Sequence, residues 1–223
     1  MNNLMIDLET LDNVPGGVIL SIGAVFFDPR SDELGSTFYA VIDTNSCEGA
    51  GLTVFADTLA WWSVQSPEAR EVLEHATSGD ARSLRAVLTD FNCWVKDSAT
   101  DVVHVWGNGA DFDNAFLAVA YRMAGAISPP WKFFHNRCFR TLKSLPFLRY
   151  TPLPKLEGTA HNALDDAIYQ AHCAVILLRK LDAMGGVALE AAKVRPVGDT
   201  KPVLTQDESP TSSVTAATTP SGS

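Results

Sequence analysis

Four acidic residues and one histidine, far apart in this chain, each stand in a setting suited to chemistry. Met5-Ile6-Asp7-Leu8-Glu9-Thr10 places two carboxylates, Asp7 and Glu9, at the end of an apolar run. Asn108-Gly109-Ala110-Asp111-Phe112-Asp113 brings a third, and His161-Asn162-Ala163-Leu164-Asp165-Asp166 brings a histidine and a fourth. Carboxylates gathered in one place repel, so they call for a strong positive charge between them. Mg²⁺ or Mn²⁺, which prefer oxygen ligands, meet that need. The chemistry such a centre performs is metal-assisted hydrolysis, most often of phosphodiesters.

The spacing within each segment says how the side chains could meet. Alternation along a strand points Asp7 and Glu9 to the same face. Asp113 sits where an apolar strand and a turn lead into a helix, so its carboxylate gains from the helix N-terminus and could equally be an ordinary cap. Asp111 is the competing acid. Asp166 falls in the first turns of the last helix, with Asp165 as the runner-up ligand. His161, just before that helix, has a side chain that titrates near neutrality and suits a general base toward a metal-bound water.

The elements that must hold these residues are legible in outline. Residues 3–9, 18–27 and 36–42 read as three successive strands, an antiparallel meander. Helical patterns cover 59–64, 67–75 (with Pro67 suited to opening a new helix), 81–95, 113–123 and 163–181, and 102–106 reads as a further strand. The order implies an α/β fold with a mixed sheet flanked by helices. The folded part is expected over 1–194. From Arg195 the composition turns to Pro, Ser, Thr and Ala, which reads as a disordered tail over 195–223.

Composition sets limits. The 223 residues, 46% hydrophobic, can bury a sizeable core. Cys47, Cys93, Cys138 and Cys173 form no Cys-x-x-Cys pair, which argues against a zinc ribbon and suits a reducing cytoplasm. No apolar run approaches the ~18 residues of a membrane span. Neither a phosphate-binding Gly-x-x-x-x-Gly-Lys-Ser/Thr loop nor a Gly-x-Ser-x-Gly nucleophile elbow occurs. The net charge of −9 does not by itself suggest a polyanion binder. Its distribution does: between Asp113 and Glu157 no acid occurs, while Arg122, Lys132, Arg137, Arg140, Lys143, Arg149 and Lys155 alternate with aromatic residues. Trp61 and Trp62 are candidates for stacking on a terminal base, or for core packing.

Taken in order, these segments resemble the DEDDh branch of the DnaQ-like 3′–5′ exonucleases, which have a ribonuclease H-like fold. Asp7-Leu8-Glu9-Thr10 matches the first motif, Asn108 with Phe112-Asp113 the second, and His161-Asn162-Ala163-Leu164-Asp165-Asp166 the third. Trp61-Trp62 and the Gly107-Asn108-Gly109 turn look most like the phage, prophage and mycobacterial-type exoribonuclease subgroup. The resemblance implies two divalent cations, Mg²⁺ or Mn²⁺. Asp7, Glu9 and Asp166 would hold the one that activates water. Asp7 and Asp113 would serve the second, and His161 would be the general base. It also implies Thr10 and Asn108 close to the 3′ end of a single-stranded DNA or RNA, nucleoside 5′-monophosphates as products, and a homodimer. Two other functions fit the same residues: a binding module of this fold without turnover, and a phosphodiesterase acting on short oligonucleotides or nucleotides.

Overall fold

Strand β1 (Asn3–Thr10) is the centre of a five-stranded sheet ordered β3-β2-β1-β4-β5. β2 (Ile19–Phe27) and β3 (Thr37–Val41) continue it on one side as antiparallel neighbours. β4 (His104–Gly107) and β5 (Asn136–Cys138) continue it on the other side in parallel. The computed structural model describes residues 1–185. The boundary expected at 194 and the tail over 195–223 lie outside the described residues.

Helices cover both faces. α1 (Thr44–Gly49), α2 (Ala56–Ser63), α3 (Pro67–Thr77) and α4 (Leu84–Ser98) lie between β3 and β4 in the chain. α5 (Ala115–Met123) follows β4, α6 (Phe139–Ser144) follows β5, and α7 (Ala163–Gly185) comes last. Pro67 opens α3, with Ser66 accepting the Ala69 N–H. The two faces of β1 divide by alternation. Leu4, Ile6 and Leu8 enter one core with Val87, Leu88, Phe91, Phe116 and Leu117. Met5 enters the other with Val25, Phe27, Ala167, Ala171 and Leu178. Asp7 and Glu9 follow Met5 on that second face, toward α7. β2 is buried along its whole length because both its faces are covered.

The mixed α/β sheet read from the sequence is present. The helix expected from Asp113 differs in its start: a wide π-turn spans Ala110–Asn114 and α5 begins only at Ala115. No helix among the described residues is long and apolar enough to cross a membrane.

Candidate active site

The site lies at the C-terminal ends of β1 and β4, and two glycines let it form. Gly23 of β2 pairs with Asp7 of β1. A Cβ on Gly23 would stand 2.1 Å from the Ala163 carbonyl carbon and oxygen, so only glycine lets the first turn of α7 rest on the sheet. Ala163, Ala167, Ala171 and Ala174 keep the inward stripe of α7 small and buried. Asn162 caps the helix, its Oδ1 accepting the Leu164 N–H at 3.0 Å and the Asp165 N–H at 3.2 Å. Asp166 and Gln170, one turn apart, then both border the cleft. The Gln170 amide donates to Asp7 Oδ1 at 2.7 Å.

Gly107 does the same for the end of β4. A Cβ there would meet Asp113 Oδ2 at 2.8 Å and Asn114 Oδ1 at 2.7 Å. Gly109, at φ +134°, bends the chain into the π-turn, where its carbonyl accepts both the Phe112 and Asp113 N–H groups. Asn114 ties the turn back to the strand by donating to the Val105 carbonyl at 3.1 Å. The Phe112 ring packs 4.6 Å from that of Phe116. The result buries Asp113 to 3% exposure, while Asp111 stays exposed and does not line the cleft.

His161 has a left-handed backbone, φ +65°, and its N–H donates to Asp166 Oδ2 at 3.0 Å. The Trp61 ring stands perpendicular to its imidazole, with 4.9 Å between ring centres. The neighbouring Asp165 turns elsewhere and accepts the Thr159 N–H at 2.8 Å. Of the adjacent pair, Asp166 alone lines the cleft. The two tryptophans separate. Trp61 is 43% exposed, whereas Trp62 is 1% exposed and its indole N–H donates to the Thr10 carbonyl at 2.9 Å. Trp62 is therefore a brace under the first motif and offers no free ring face for stacking, because its ring and its donor are already committed.

All nine residues singled out in the sequence border one cleft of about 480 Å³: Asp7, Glu9, Thr10, Trp61, Trp62, Asn108, Asp113, His161 and Asp166. Thr10 is buried and donates to the Asp12 carbonyl, and Asn108 Oδ1 is buried without a partner. Gln170 and Arg140 also line the cleft. Gln170 was legible in principle, standing four residues beyond Asp166 on the same helix; Arg140 stood out only as one cation of the acid-free run between Asp113 and Glu157.

Electrostatically the cleft is under tension. Burial pushes the Glu9 carboxyl up to about 8, with repulsion from Asp166 and Asp113 adding to it. Burial raises Asp113 to about 7 against the lowering effect of backbone N–H groups and Arg140. Asp7 is held well above its ordinary range by burial and then by Asp113 and Glu9, and burial raises Asp166 as well. These groups cannot all ionise together without a cation. Glu9, His161 and Asp166 offer ligand atoms within 4.8 Å of one another. Asp113 Oδ2 and Gln170 Oε1 are buried with no hydrogen-bond partner, so the donor set has room for further bonds. The set suits a hard divalent cation.

Comparison with known proteins gives the same picture. The chain is 28% identical over 194 residues to an exodeoxyribonuclease of Enterobacteria phage T4, covering 74% of this chain and 84% of that protein. Its fold is similar to the nuclease domain of 3′hExo, a DEDDh family member solved with rAMP: TM-score 0.55, 16% identity, 80% of this chain and 92% of that one. It is also similar to a 3′-exonuclease solved in recognition of a histone mRNA stem-loop, with TM-score 0.54, 16% identity and coverage of 80% and 81%. The family model of the 3′–5′ exoribonuclease Rv2179c-like domain matches residues 2–178. With a single match spanning the sheet, the π-turn and most of α7, the chain belongs to this Rv2179c-like family of 3′–5′ exonucleases.

Proposed function

We propose that this cleft removes nucleotides one at a time from the 3′ end of a single-stranded nucleic acid, releasing nucleoside 5′-monophosphates. The observation that carries this reading is the convergence of Asp7, Glu9, Asp113 and Asp166 in one cleft, with His161 beside Glu9 and Asp166. Asp7, Glu9 and Asp166 would hold one divalent cation, and Asp7 with Asp113 a second. Bound there, Mg²⁺ or Mn²⁺ supplies charge neutralisation at the phosphate and a lowered pKa for the attacking water.

The remaining work falls to the chain itself. The His161 imidazole takes the proton from the water as its oxygen bonds to phosphorus. The bond from phosphorus to the 3′ oxygen breaks, and that oxygen takes up a proton from solvent. The backbone bond from His161 to Asp166 and the perpendicular Trp61 ring keep the imidazole in place. Trp61, Thr10 and Asn108 form the wall for the terminal nucleotide, with Trp61 giving the stacking surface.

The test is digestion of matched single-stranded DNA and RNA carrying a label at the 5′ end. A ladder of shortened, still labelled products in Mg²⁺ or Mn²⁺, abolished by EDTA, is expected, and the two substrates report the sugar preference. Asp7→Asn should lower turnover more than about 100-fold, beyond the cost of losing a mere supporting partner of a metal ligand. An Asp7→Asn protein with the wild-type rate overturns the reading. A shifted but intact band from wild type would mark a binding module instead.

A further inference from the structure

The acid-free interval between Asp113 and Glu157 holds seven cations, Arg122 through Lys155, and among the described residues none of them forms an ion pair. The pairs that do form, Arg30 with Asp28, Arg82 with Asp90 and Arg179 with Asp32, lie outside that interval. Two of the seven sit on α6. Phe139 and Leu142 bury its inner side against the core that holds Met5 and Ala167. Arg140 and Lys143 are exposed, three residues apart and so neighbours on the outer side. Arg140 reaches the cleft. Its guanidinium packs so close to Gly109 that a Cβ there would lie 3.3 Å from Cζ and Nη1. Lys143, one turn on, does not line the cleft, and its ammonium lies 5.2 Å from the centre of the Phe139 ring.

We propose that the outer side of α6, Arg140 followed by Lys143, is the track that holds the phosphates of the strand retained after each cleavage. This rests on the cleft being a 3′–5′ exonuclease centre. The sheet order gives the direction. α7 starts over Gly23 of β2, which puts His161 on the β2 side of β1. Asp113 and Arg140 follow β4 and β5 on the other side. In an in-line displacement the leaving oxygen departs opposite the attacking water. That oxygen is the 3′ end of the retained strand. With His161 handling the water, the retained strand begins on the Arg140 side and runs out over α6. Arg140 donates in a planar fork to the first phosphates, and Lys143 acts as a point charge on those further out. The positive charge of α6, engaged in no ion pair among the described residues, is complementary to a polyanion that the acidic body of the protein otherwise repels.

The experiment compares Arg140→Gln, Lys143→Gln and the double variant on a twelve-nucleotide single strand and on a dinucleotide, with a fluorophore at the 5′ end. The double variant should raise KM on the long strand about tenfold and flatten the salt dependence of log KM by about 0.7 per cation removed. The KM penalty of Lys143→Gln should be several-fold larger on the long strand than on the dinucleotide, which is too short to run along α6. An unchanged KM and salt slope on the long strand, or equal Lys143→Gln penalties on both substrates, overturns the track. Fluorescence anisotropy of the long strand on wild type and variants needs no turnover. If wild type shortens neither substrate, the exonuclease reading fails by itself, and anisotropy still decides: weaker binding by the double variant supports the track, and equal binding overturns it.

Discussion

Asp165 and Asp166 are adjacent in the chain and serve opposite purposes. Asp165 fastens the loop in front of α7. Its Oδ2 accepts the Thr159 N–H, and it fits because Gly158, at φ +108°, has no Cβ; one there would lie 2.4 Å from that oxygen. Asp166 turns to the cleft and binds the His161 N–H. Asp166→Asn should cut turnover more than about 100-fold with little loss of melting temperature, since a crowded charge has gone. Asp165→Ala should cost about 1 kcal/mol of stability through the lost hydrogen bond and reduce activity far less. Thermal melts beside initial rates separate the two. The sequence alone could not make this distinction. Helical spacing puts both acids in the first turn, and only the return of the Gly158–Thr159 backbone onto Asp165 decides which faces Glu9. Asp113 against Asp111 was the same kind of ambiguity, settled by the π-turn.

At the scale of elements, the approach of α7 to the sheet is what assembles the site. Gly23→Ala would drive a Cβ into the Ala163 carbonyl at 2.1 Å, a contact with backbone that cannot swing aside. Overpacking of this kind costs about 1–3 kcal/mol, which is a fall of roughly 3–10 °C in a chain of this size. It should also lift Asp166 and His161 from Glu9, so the variant should need more Mn²⁺ for half-maximal activity. A melt and a Mn²⁺ titration check both effects. The long strands and α4, α5 and α7 were readable because their apolar residues recur over many positions. β5 has three residues and α6 six, too few to show a period, so the part of the fold that carries Arg140 gave only a compositional signal. The π-turn has no pattern of its own and read as the start of a plain helix.

Across the whole molecule, an acidic chain has concentrated buried carboxylates in one cleft, which sets its response to pH. Below the ordinary carboxyl range, folded and unfolded chains hold these protons alike, and nothing is lost. As pH rises past about 4.5 the unfolded Glu9 ionises, while the folded protein keeps its proton until about 8, and Asp113 until about 7. The unfolded state gains over that window, so the metal-free protein should lose stability from about pH 4.5 to about 8. Divalent cation should restore it, with the largest rise in melting temperature near the top of the window. Melting in EDTA and in Mg²⁺ across pH 5–8 tests this, and a metal-free melting temperature that climbs with pH would contradict it. α7 also joins the centre late in the chain. A chain emerging from the ribosome carries Asp7, Glu9 and Asp113 well before His161 and Asp166 exist, and Gln170 bonds Asp7 from 163 residues away. Until that last helix docks, the nascent protein holds an incomplete set of these groups, and the centre is assembled only once the chain through Gln170 has been made.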